Sequence, residues 1–178
     1  MLAGLPYQPS DPELDADRRN ARRLTRLYND TEETEFERRK DLILLLFGSA
    51  GSGFDIEPPF RCDYGYNIRV GDNFYAHFGC VILDQAPVLI GNNVSLSPGV
   101  HIYTAFRPLD LQSRGTALER GSRVSIGNNV WIGGSAVINP GVTIGDNTVI
   151  GSGSVVTKPV PANVVAAGNP CRIIRDLT

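Results

Sequence analysis

Residues 124–156 read VSIGNNVWIGGSAVINPGVTIGDNTVIGSGSVV, and the pattern returns every six residues. Aliphatic side chains stand at Ile126, Ile132, Ile138, Ile144, Ile150 and Val156. Glycine follows at Gly127, Gly133, Gly145 and Gly151, and four places after the aliphatic comes a small or β-branched residue: Val130, Ala136, Val142, Thr148 and Ser154. A helix of 3.6 residues per turn would scatter these aliphatics around its surface, and a strand alternates at every residue. Six residues make instead one short strand and one turn. Three such units close a triangular coil, and coils stack so that their strands pair in parallel with every aliphatic inside the prism. One coil cannot cover its own apolar face, so stacking creates the core. Gly-Asn-Asn and Gly-Asp-Asn provide corner residues that tolerate positive φ. The period predicts a parallel β-helix.

Upstream, Val70, Ala76 and Ile82 keep the same step, as do Ile90, Leu96 and Ile102 with Val94 and Val100. Between 103 and 124 the step is lost: TAFRPLDLQSRGTALERGSR is polar and predicts a loop leaving the prism. Long loops on rigid scaffolds commonly carry function. Lys158-Pro159-Val160-Pro161 and Asn169-Pro170 are expected to close the stack before a short tail at 171–178. The division expected is an N-terminal helical cap segment over 1–60 and a β-helix domain over 61–178. Within the cap, Ser10-Asp11-Pro12-Glu13 has the form of a capping box with Ser10 as the cap. Leu14, Leu24, Leu27 and Tyr28 then give one apolar face, Asn29-Asp30-Thr31 a break, and about Glu32 to Phe47 a second helix. Arg18, Arg19, Arg22 and Arg23 read as a solvated face.

A net charge of −2 provides no basic field for nucleic acid or an anionic membrane. The longest apolar run, Leu42–Phe47, is far short of the ~20 residues of a membrane span. The first residues lack the basic-then-apolar order of a signal peptide. Cys62, Cys80 and Cys171 are odd in number and widely spaced, which argues against a disulfide framework and for a cytoplasmic location.

Several segments together resemble the maltose/galactoside O-acetyltransferase family, and its maltose members most: Ser10–Leu14, Phe47-Gly48, EPPFRCDYGYNI from Glu57, Asn129–Gly134, Val155–Lys158 and Val164–Pro170. Hexads alone are shared by many acyl- and nucleotidyl-transferases, whereas the EPPFRCDYGYNI segment is far more specific. The resemblance implies a left-handed coil, a hand that the period itself does not give and that breaks the usual right-handed crossover preference. It also implies a homotrimer with sites between subunits, acetyl-CoA as donor and a sugar-type hydroxyl as small-molecule acceptor.

Acyl transfer from a thioester to a hydroxyl needs a base for the hydroxyl proton and donors for the tetrahedral intermediate. The family's base is a histidine in a motif of the form Thr-Ala-Thr-His-Pro-Leu-Asp. Here the motif reads Thr104-Ala105-Phe106-Arg107-Pro108-Leu109-Asp110, which puts Arg107 at the histidine position. Arginine stays protonated and cannot act as that base. Where relatives carry Tyr-Ala-Asn-Phe-Asn, an asparagine that holds the acceptor, this chain has Tyr75-Ala76-His77-Phe78-Gly79. His77 is therefore either a substitute base or acceptor contact, or a surface and packing residue. His101 reads as an outward-facing polar residue on the coil, and two histidines do not make a three-histidine zinc site, so no metal is expected.

On the acceptor side the resemblance assigns Asp63, Tyr75, His77, Asp84 and Gln85; Asp63 could alternatively cap a turn. On the donor side it assigns Trp131, Gly134, Ser152, Thr157, Lys158, Arg172 and Arg175. Basic groups suit the phosphates of CoA, although they could equally be solvated tail charges. The expected activity is acetyl-CoA-dependent O-acetylation of a sugar of the maltose, glucose or galactoside kind. The alternative is a trimer, catalytically silent or engineered in its loop, that binds CoA or another ligand without efficient turnover.

Overall fold

The computed structural model describes residue 1, residues 4–107 and residues 118–177. Its body is a prism with three parallel faces. The first face stacks Ser49–Ala50, Ile68–Val70, Val88–Ile90, Val124–Ile126 and Thr143–Ile144. The second stacks Asp55–Ile56, Tyr75–Ala76, Ser95–Leu96, Trp131–Ile132, Val149–Ile150 and Val164–Ala167. The third stacks Arg61–Cys62, Val81–Leu83, His101–Tyr103, Val137–Ile138 and Val155–Val156. The hexad aliphatics meet inside: Ile132, Ile138, Ile150 and Val156 are fully buried and Ile126 and Ile144 nearly so. The residues four places on, from Val130 to Ser154, are buried with them. Thr148 and Ser154 enter this apolar interior with their hydroxyls donated to the carbonyls of Pro161 and Gly151, as burial of a polar group requires.

The corners follow the expected turn chemistry with a division of labour. Asn73, Asn93, Asn129, Asn147 and Asn163 adopt φ of 54–60°. Their amides form a ladder, each Nδ2 donating to the Oδ1 of the next at 2.9–3.0 Å. The glycines two places earlier serve a different need. A Cβ on Gly145 would lie 2.3 Å from the Ala162 nitrogen of the next coil, so absence of a side chain, not a positive φ, is what that position requires.

Several sequence expectations are corrected. The coil begins at Ser49, whose strand pairs with Ile68–Val70, so parallel structure starts well inside the 1–60 segment. Helix α1 (Pro12–Asn29) is capped by Asp11, whose carboxylate accepts from the Glu13 and Leu14 amides; Ser10 lies one residue too early. Helix α2 runs Phe36–Leu46, not from Glu32, because residues 32–35 close a turn in which the Glu35 carboxylate accepts from the Glu32 amide at 2.8 Å. Both helices pack on the open end of the prism through Ala21, Leu24, Tyr28, Ile43 and Leu46, which join the same buried cluster as the coils.

Tyr103 and Val124 belong to face strands, so the departure from the prism is narrower than 103–124. Its base is an antiparallel pair, Ala105–Phe106 with Arg120–Gly121; the predicted loop residues 108–117 lie outside the described residues. The C-terminal residues are not a loose tail. Arg172–Asp176 folds back antiparallel on Val164–Ala167 and caps the second face. His101 sits half-buried on the third face with Nδ1 against the Tyr103 hydroxyl.

Candidate active site

Outward residues of the second face form one column. Register aligns Asp55 with Tyr75, Tyr75 with Ser95, Ser95 with Trp131, Trp131 with Val149, Val149 with Val165, and Val165 with Arg175. At about 4.8 Å per strand, Trp131 stands roughly 10 Å from Tyr75 and Arg175 some 15 Å further. The column therefore joins Tyr75, the lone tryptophan and a basic end. Trp131 is 54% exposed although it is the largest side chain on the face, and its indole N–H donates to Ser97 Oγ at 3.0 Å. At the basic end, Lys158 and Arg172 line one cavity of about 420 Å³ with Pro159, Val160 and Ile173. Thr157, Ser152 and Arg175 are exposed nearby in the stack. Gly134 lies in a tight corner where an added Cβ would stand 3.2 Å from the Pro98 carbonyl.

His77 occupies the corner that ends the Tyr75–Ala76 strand, and its amide donates to the Leu96 carbonyl at 2.9 Å. Glu57 occupies the same corner one coil earlier, where its amide donates to the Ala76 carbonyl at 2.8 Å. His77 Nδ1 is 2.9 Å from Glu57 Oε2, and the Tyr75 hydroxyl donates to Glu57 Oε1. That carboxylate pushes the Tyr75 phenol up to about 12, chiefly by accepting its proton in a hydrogen bond.

A second group gathers where the third face gives way to the hairpin. Gln85 Nε2 donates to the Asp63 carboxylate. Burial raises the Asp63 pKa while Arg22 and Arg18 oppose the rise. Asp84 is fully buried, and its carboxylate accepts from the amides of Tyr64 at 2.8 Å, Asp63 at 3.2 Å and Asn67 at 3.3 Å. Burial pushes its pKa up to about 6 against those hydrogen bonds. Asp84 thus shapes the turn that presents Asp63, with no free edge of its own to offer an acceptor. Arg107 is 69% exposed, with Nε 3.6 Å from Glu119 Oε1, while Glu119 Oε2 accepts from the Tyr7 hydroxyl at 2.9 Å.

Within one chain these two groups do not converge. His77 stands at the corner between the second and third faces, whereas Arg107 leaves from the corner between the third and the first. Sequence reasoning missed Glu57 and Glu119. Glu57 lies in a segment singled out for its resemblance, but its pairing with His77 depends on strand register. Glu119 lies across the hairpin base, which no hexad step indicates. Among the described residues, no cluster of three or more His, Cys, Asp or Glu side chains is placed to hold a metal ion.

Residues 1–51 match the family described as maltose acetyltransferase hexapeptide capping motif, and residues 123–158 match bacterial transferase hexapeptide (six repeats). A maltose O-acetyltransferase from Clostridium difficile 630 superposes with a TM-score of 0.98 at 52% identity, covering 99% of this chain and 95% of that one. A galactoside acetyltransferase solved in complex with coenzyme A gives a TM-score of 0.95 at 42% identity, over 99% and 88% of the two chains. The galactoside O-acetyltransferase of Escherichia coli (strain K12) is 45% identical over 150 residues, which is 84% of this chain and 74% of that protein. With hexad coils, helical cap and overall superposition all in agreement, the chain belongs to the maltose/galactoside O-acetyltransferase family of hexapeptide-repeat acyltransferases.

Proposed function

We propose that this chain transfers the acetyl group of acetyl-CoA to a hydroxyl of a sugar of the maltose, glucose or galactoside kind, as a homotrimer in the cytoplasm. The column on the second face carries the reading. Arg175 and the Lys158–Arg172 cavity suit the phosphates of CoA, Trp131 gives its pantetheine arm a flat apolar wall, and Tyr75 and His77 stand where the thioester would end. Gly134, Ser152 and Thr157 border that path. Asp63 and Gln85 supply hydrogen-bonding edges for hydroxyls, with Asp84 holding their turn. Because Arg107 and His77 leave from different corners, a site using both needs a neighbouring copy, which supports the trimer. Arg107 supplies a fixed positive charge and cannot receive the acceptor proton.

That inability favours one second reading, a trimer that binds CoA without efficient turnover. Acetyl-CoA consumption measured with a panel of mono- and disaccharides separates the two, run beside Arg107→His. Consumption by the unmodified chain with at least one sugar is the expected result. No consumption by that chain, together with consumption by Arg107→His, would leave the silent binder as the function.

A further inference from the structure

We propose that the proton-accepting base has moved to the other side of the site: His77 accepts the hydroxyl proton at Nε2, and Glu57 is the positioning residue that holds its ring. The inference rests on the acetyltransferase reading above and names the machinery of that reaction.

A carboxylate has no proton to give, so the 2.9 Å approach of Glu57 Oε2 to His77 Nδ1 places the ring proton on Nδ1. The Phe78 amide lies 3.1 Å from the same nitrogen and cannot donate to it once it is protonated. Nε2 is then the free lone pair. Glu57 is itself held by the Tyr75 hydroxyl on its other oxygen and by its backbone bond to Ala76. Base, orienting carboxylate and a further group that fixes the carboxylate make the arrangement expected of a working general base. The His77 and Glu57 side chains remain 34% and 38% exposed, so a substrate hydroxyl can reach them. The register also puts His77 next to the donor path: Ser97, which bonds Trp131, occupies the same corner one coil on. Arg107, by contrast, is tied to Glu119 and is cationic throughout.

The step balances. The sugar oxygen attacks the thioester carbonyl carbon as its proton passes to His77 Nε2, forming the C–O bond. The tetrahedral intermediate collapses, the C–S bond breaks, and the departing CoA sulfur takes the proton back from Nε2. During the step the imidazolium is stabilised by the Glu57 carboxylate, and His77 and Glu57 end as they began.

The test uses the full-length chain with acetyl-CoA and whichever sugar is turned over. His77→Gln should lower kcat by about 10²–10⁴-fold, the contribution of a positioned base, with the KM for acetyl-CoA unchanged. Glu57→Gln should lower kcat by at least about tenfold, since the ring loses its charge partner. Imidazole in the buffer should restore part of the rate to His77→Gly and none to Glu57→Gln, a distinction that a merely structural loss would not produce. Retention of rate in His77→Gln, or a gain of about 10²-fold or more in Arg107→His, would overturn the assignment while leaving the transferase reading in place. Absence of transfer by the unmodified chain with every sugar would overturn both.

Discussion

Asp84 illustrates how a single buried carboxylate fixes a turn. Its two oxygens receive three backbone amides of the 63–67 turn, and that turn carries Asp63 toward Gln85. Because its folded pKa is raised from 3.8 to about 6 by burial, the folded state binds the proton more tightly than the unfolded chain does. The stability contributed by Asp84 is therefore full below about pH 3.8 and is lost as pH rises through about 6. Asp84→Asn removes this slope. Urea denaturation at pH 5 and pH 7 should show the advantage of the unmodified chain over Asp84→Asn to be larger at pH 5, by about 1 kcal/mol. An advantage that is equal at both values, or larger at pH 7, contradicts the assignment of the shift to burial.

At the scale of the element, the corners are the weak points of a coil built from two- and three-residue strands. Asn129 carries two demands: a φ of 55°, and the ladder bonds to Asn93 and Asn147 at 3.0 and 2.9 Å. Asn129→Gly keeps the first and loses the second; Asn129→Ala loses both. The left-handed conformation costs a residue with a Cβ about 1–2 kcal/mol, while exposed amide bonds are worth less. Asn129→Ala should accordingly be less stable than Asn129→Gly by about 1 kcal/mol in a chemical denaturation series. If the alanine chain proved the more stable of the two, the ladder rather than the backbone would govern the corner. The returning strand Arg172–Asp176 plays a comparable part at the end of the stack, where it covers the edge of Val164–Ala167 and carries Arg172 and Arg175 to the second face.

For the whole molecule, two measurements bear on the proposed assembly and donor. Light scattering at micromolar concentration should return the mass of three chains, since the proposed site draws its two halves from different corners and oligomers close symmetrically; a monomer mass would defeat it. The proposed CoA site exists only in the folded prism, so CoA should raise Tm. Replacing Lys158, Arg172 and Arg175 together by alanine should abolish that rise, whereas an undiminished rise would move the phosphate site elsewhere.

Much of this protein follows from the spacing of its residues alone. The six-residue step between Ile126 and Val156 determines which side chains enter the core, because a strand and a turn of constant length return each aliphatic to the same depth. The residues proposed for the donor, Trp131, Lys158, Arg172 and Arg175, are singled out by the family resemblance and not by the step. What the spacing did not contain were contacts between segments whose separation is irregular. The Glu57–His77 pair depends on a register of twenty residues rather than eighteen, and Glu119 reaches Tyr7 only because the hairpin folds back on the N-terminal segment. The burial of Asp84 and its three backbone amides likewise depend on the 63–67 turn meeting the segment that carries Asp84. Periodic order is local and repeats itself in sequence; charge pairing and burial depend on which distant segments meet, and only the tertiary structure decides that.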